Sequence, residues 1–134
     1  MGLSLRAGRP AGPHPEDPNP QWSYSGFGIF RRALAAHIGI DLDQMRSFGG
    51  PVAWDTVASP LRHLLEHTDD SGQLEAWQVR QLAPALREAL TALAHQDTDG
   101  FLWGDASSNG RAAEALVALL ELCAAEDLPV HFGG

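Results

Sequence analysis

From Ala112 to Ala125 every position is apolar except Glu114 and Glu121. A helix with so narrow a polar strip needs apolar neighbours around most of its circumference, so it belongs in the middle of a core. The rest of the chain must wrap it, and two stripes at helical spacing are available: Phe27, Phe30, Leu34 and Ile38, then Leu82, Leu86, Leu90 and Leu93. At 134 residues the chain fits one domain of the usual size, about 100–150 residues. The expected fold is mainly α, one compact domain over 1–134 with four or five helices.

Local signals set the helix ends. Ser25 is read as the cap of the first helix and Gly39 as its terminator. Asp41 to Arg46 adds a short turn before the breaker Phe48-Gly49-Gly50-Pro51. Ser59 followed by Pro60 starts a helix that runs to about His67, because the hydroxyl caps and proline suits the first helical position. Glu75 to His95 carries the second stripe with Arg80, Arg87 and Glu88 away from it. Pro84 interrupts it and predicts a kink or a division into two helices. Ser108 to Ala125 is the last helix. At the chain ends Leu3 and Leu5, and Val130 and Phe132, alternate. A lone strand is unstable, so the ends are candidates to pair in a small two-stranded sheet. Five of the nine prolines fall between Gly8 and Gln21, which predicts an extended loop or arm over about 8–21. Its P-x-x-P spacings, Pro10 to Pro13 and Pro15 to Pro18, match polyproline ligands, but turn-rich loops produce them freely.

Charge and composition exclude several functions. Nine arginines and no lysine against seventeen acidic residues give a net charge of -8. Phosphate binding rests on clustered positive charge, so a nucleic-acid partner is not expected. The missing lysines point to a GC-rich bacterial source and remove Schiff-base and phosphate-loop chemistry. No G-x-S-x-G occurs, and Gly26-Phe27-Gly28 meets Arg31 where a dinucleotide loop needs Gly or Ala. Cys123 is the single cysteine, which excludes an intrachain disulfide. No run reaches the roughly 18 apolar residues of a membrane helix. Met1 to Arg6 holds no long apolar segment, so no membrane is expected and the location is read as cytoplasmic.

Two motifs suggest metal chemistry. His67-Thr68-Asp69-Asp70-Ser71-Gly72-Gln73-Leu74 recurs as His95-Gln96-Asp97-Thr98-Asp99-Gly100-Phe101-Leu102. Oxygen-bearing side chains at alternate positions followed by Gly are spaced as in the first half of an EF-hand loop, making Asp69, Ser71, Asp97 and Asp99 candidate ligands for calcium. An EF-hand opens with Asp, where these loops have His67 and His95, and closes with Glu, where they have Gln78 and Ala106. The favoured reading is a pair of structural turns in which the carboxylates accept backbone N–H bonds. His63-Leu64-Leu65-Glu66-His67 matches H-x-x-E-H, with His63 and His67 on one helical face able to reach zinc and Glu66 as general base. The competing reading is an amphipathic helix with Leu61, Leu64 and Leu65 inward.

Aromatics offer a third clue. Trp22, Tyr24 and Trp54 lie beside Gly and Pro in loop-like sequence, where such residues serve binding surfaces, although core packing is favoured. Arg31 and Arg32 form the only adjacent basic pair and are read as a solvated face. The segment Trp22-Ser23-Tyr24-Ser25-Gly26-Phe27, together with Pro60 to Leu74, resembles a group of small uncharacterised actinobacterial proteins. Those proteins begin Met-Gly-Leu, start a helix with Tyr-Ser-Gly-Phe and carry a His-Ser/Thr-Asp-rich loop before an amphipathic helix. The resemblance spans most of the chain and implies no activity to carry over. The leading functional expectation is a small acidic interaction protein without catalysis that binds a protein partner. The alternative is a metal-binding module or small metal-dependent hydrolase using the HLLEH segment and the acidic loops, with calcium or zinc. The oligomeric state is open.

Overall fold

The computed structural model describes residues 2–12, 14–46, 49–65, 72–96 and 108–133. In chain order these form β1 (Gly2–Ala7), β2 (Gln21–Ser23), α1 (Tyr24–His37), α2 (Arg62–Leu65), β3 (Gln73–Leu74), α3 (Ala76–Gln96), α4 (Ser108–Glu126) and β4 (Val130–Gly133). Short 3-10 turns at Leu42–Gln44 and Trp54–Thr56 lie between α1 and α2.

The helical expectation holds, and the sheet is larger than expected. The chain ends do pair, with Leu5 opposite Phe132 and Ala7 opposite Val130. They form the centre of a four-stranded antiparallel sheet in the order β2-β1-β4-β3, not a two-stranded one. The added strands have three and two residues, too few for an alternating pattern to stand out. α4 lies where its composition demands: Leu116, Val117, Leu119, Leu120 and Cys123 have no exposed surface. Burial pushes the Cys123 thiol up to about 11, so the thiolate needed for reactivity is scarce at neutral pH. α3 packs along α4 through Val79, Leu82, Leu86 and Leu90, and α1 through Phe27, Phe30 and Leu34, in one hydrophobic cluster.

Three local expectations are corrected. The cap of α1 is Ser23, not Ser25. Ser23 still has extended backbone, as a cap must, and its Oγ accepts from Gly26 N at 3.0 Å. α3 is one helix through Pro84 and not two, with the proline on its exposed side. Arg31 is not solvated: it is 4% exposed, its guanidinium 5.4 Å from the centre of the Phe27 ring. Its place at i+4 from Phe27 and i-3 from Leu34 puts it on the buried stripe. Arg32 does face solvent and pairs with Asp43 at 2.7 Å.

The proline-rich segment folds back on the domain. Gly12 N donates to Arg9 O (3.1 Å) and Asp17 N to His14 O (3.1 Å), and Gly12 has φ +97°. These turns are incompatible with a continuous polyproline helix, so Pro10 is not presented as such a ligand. Arg9 bridges Asp17 at 2.6 Å and Glu126 at 3.1 Å, tying the arm to the end of α4.

Candidate functional site

The site grows from the Ser59-Pro60 helix start. Ser59 Oγ accepts from Leu61 N at 3.2 Å, and Arg62 N and His63 N bond back to Ser59 O and Pro60 O. Leu61, Leu64 and Leu65 turn inward, which leaves Arg62 and His63 half-buried at the surface. Two arginines fix this short helix. Arg31 Nη2 donates to Leu65 O and lies 3.5 Å from Leu64 O, serving carbonyls at the end of α2. Arg62 Nη1 donates to Trp54 O at 3.2 Å, and Trp54 Nε1 donates to Arg46 O at 2.7 Å.

Across from α2 stands the first part of α3. Its start is closed by Gln78, whose Oε1 accepts from Glu75 N at 2.9 Å, half of a capping box. Trp77 and Gln81, four residues apart, share one face of α3 and meet His63. His63 Nε2 lies 2.9 Å from Gln81 Oε1, and the His63 and Trp77 rings meet edge-on, 5.4 Å between centres at 82°. With the Gln81 side-chain oxygen as acceptor, His63 donates from Nε2. A cleft of about 370 Å³ opens here, lined by Asp55, Val57, Arg62, His63, Trp77 and Gln81. Trp77 is 51% exposed, against 5% for Trp22 and 6% for Trp54.

The expected site residues fare differently. His63 is at the cleft, with Nε2 committed to Gln81. Glu66, His67, Asp69, Ser71, Asp97 and Asp99 lie outside the described residues, as does the side chain of Tyr24. Among the described residues no three His, Cys, Asp or Glu side chains come together as a metal-binding group. Trp22 stacks on Phe30 with centres 5.1 Å apart, and Trp54 is also buried in the hydrophobic cluster. Both side chains are almost wholly enclosed. The residues missed are Trp77 and Gln81. Trp77 falls about 140° from Leu82 around the helix, so a large aromatic off the apolar stripe was the readable signal.

What the cleft offers is shape, an aromatic face and hydrogen-bonding groups. Ser59 Oγ is turned to Leu61 N, so no described nucleophile is hydrogen-bonded to His63. Comparison with models of known protein families, with curated proteins and with solved structures found no match to this chain.

Proposed function

We propose that this chain is a small acidic interaction protein without catalysis, and that a partner protein docks on the cleft between α2 and α3 with Trp77 as its anchor. One observation carries the reading: Trp77 leaves half of a large aromatic surface in solvent, while Trp22 and Trp54 are sealed in the core. Tryptophan dominates binding energy where it can be desolvated inside a ring of polar groups. His63, Gln81 and Arg62 supply that rim, and their positions are already held by internal bonds, which lowers the ordering cost of association. The net charge of -8 favours a basic partner through steering of the encounter.

The test is site-specific photo-crosslinking with a benzophenone amino acid in place of Trp77, and in place of exposed Glu88 as the control. A partner captured from 77 and not from 88 is then purified and titrated against the unlabelled chain. Loss of about tenfold or more in affinity on Trp77→Ala is expected for an anchor. Equal capture at both positions, or unchanged affinity in the variant, refutes the docking site.

A further inference from the structure

Two opposite charges line the cleft between α2 and α3 without meeting. Asp55 and Arg62 both belong to its wall, yet neither enters an ion pair with the other or with any described residue. Arg9, Arg32, Arg80 and Arg87, in contrast, each hold a carboxylate.

One turn places both groups. Val57 N donates to Trp54 O at 3.0 Å and Thr56 Oγ1 to Ala53 O at 2.8 Å, which closes the 3-10 turn that carries Asp55. Arg62 Nη1 donates to the same Trp54 carbonyl at 3.2 Å, so its guanidinium is anchored to the residue next to Asp55. The other N–H groups of Arg62 have no partner among the described residues, and the exposed Asp55 carboxylate accepts no bond from them. Trp77 adds an open indole to the same wall, and His63 and Gln81 are already bonded to each other.

A ligand that fills this cleft takes both charges out of water. A ligand with only a cation would sit against Arg62, and one with only an anion would sit against Asp55. Either way one charge loses its hydration with no counter-charge in return. A molecule that carries an ammonium and a carboxylate a few bonds apart satisfies both. The volume of about 370 Å³ lies near the lower end of the range for small-molecule sites, about 300–1,000 Å³. The indole offers a flat apolar surface on which a second ring can pack.

We infer that the cleft binds a free aromatic α-amino acid, with Arg62 holding its carboxylate, Asp55 its ammonium and Trp77 its ring. The planar guanidinium suits a carboxylate, and its anchorage on Trp54 O lowers the cost of ordering it. A peptide is a poorer occupant, because its terminal ammonium and carboxylate lie at opposite ends of the chain. The inference does not rest on the docking of a protein partner, and it is read without one.

The experiment is isothermal titration calorimetry of the full chain with L-phenylalanine, N-acetyl-phenylalanine and phenylalanine amide. Saturable binding of phenylalanine is expected, weakened about tenfold or more by loss of either charge and by Trp77→Ala. In Asp55→Asn the penalty for N-acetylation should disappear, and in Arg62→Gln the penalty for the amide should disappear, as a double-mutant cycle requires of paired groups. Melting curves establish that each variant is folded. Asp55 is exposed and makes no bond to a described residue, so its variant keeps the test decisive even where Arg62→Gln weakens the turn. Absence of saturable binding overturns the inference. So does a derivative that binds as tightly as phenylalanine, or an acetylation penalty that survives in Asp55→Asn.

Discussion

α4 and the arm over residues 8–20 meet at Glu126, yet they are held by different forces. α4 is fixed by burial: the side chains of Leu116, Leu119 and Leu120 are fully enclosed, and their placement needs no particular partner atom. The arm is fixed by a few directed bonds. Arg9 reaches Asp17 and Glu126, Gly8 N donates to Pro129 O at 2.8 Å, and Leu5 N donates to Pro20 O at 3.1 Å. Burial is spread over many contacts and tolerates salt and pH. Directed bonds are few, and each can be removed by one substitution or one change of solvent. The same division runs through the turn before α3 and the cap of α1, which depend on single backbone angles and single side chains.

The largest effect belongs to the buried side. Leu119→Ala should cost about 2–5 kcal/mol in urea unfolding, and a loss under about 0.5 kcal/mol would remove α4 from the centre. Next comes Gly72, with φ +97°, whose carbonyl accepts from Phe132 N at 2.9 Å. Gly72→Ala forces a Cβ into a left-handed conformation and should cost about 1–2 kcal/mol in the same assay. A neutral result would mean that this turn relaxes freely. Ser23→Ala should follow at about 1 kcal/mol, with Ser25→Ala inside about 0.5 kcal/mol, because only Ser23 accepts the Gly26 N–H. Reversal of that order would return the cap to Ser25.

What sequence could reveal follows the same division. α4, α3 and the pairing of the chain ends were legible because Leu116, Leu86 and Phe132 repeat a period that burial enforces. β2 and β3 were not, since Gln21–Ser23 and Gln73–Leu74 are shorter than any pattern and gain their place from β1 and β4. Arg31 was misread because charge was weighed above its position on the apolar stripe, and its carbonyl acceptors lie 33 and 34 residues away. The candidate site was half legible. His63 stood out for a metal motif, while its bond to Gln81 and its contact with Trp77 depend on how α2 packs on α3. Glu126 lies 117 residues from Arg9, so the docking of the arm left no local trace.

A smaller effect is expected at the arm. The Arg9 guanidinium holds the Asp17 carboxyl below the usual carboxylate range. A group whose pKa is depressed on folding contributes stability above its unfolded value, near 4, and loses it as pH falls through the folded value. The arm should therefore stay docked from neutral pH down to about pH 4 and loosen below that. Arg9→Gln should loosen it at neutral pH as well. Limited proteolysis between residues 8 and 20 reads this directly. Cleavage in the variant that outpaces wild type while the melting temperature barely moves confirms an arm held by directed bonds; equal cleavage means that it is held by packing.

The smallest expected effect is none, and it concerns the repeated acidic loops. Gln78 stands at the position where a calcium loop would close with a bidentate carboxylate, and its side chain instead caps Glu75 N at the start of α3. His63, the described member of the H-x-x-E-H segment, has Nε2 committed to Gln81. Both side chains are used to build helix contacts, which is what turns require and what a metal site would have to undo. Calcium or zinc should leave the melting temperature unchanged. A metal present at a hundredfold excess over its dissociation constant would instead stabilise the folded chain by about 2.7 kcal/mol. A reproducible rise with either ion, abolished in the Asp69→Asn, Asp97→Asn double variant while that variant still folds, would replace the turn reading with a metal site.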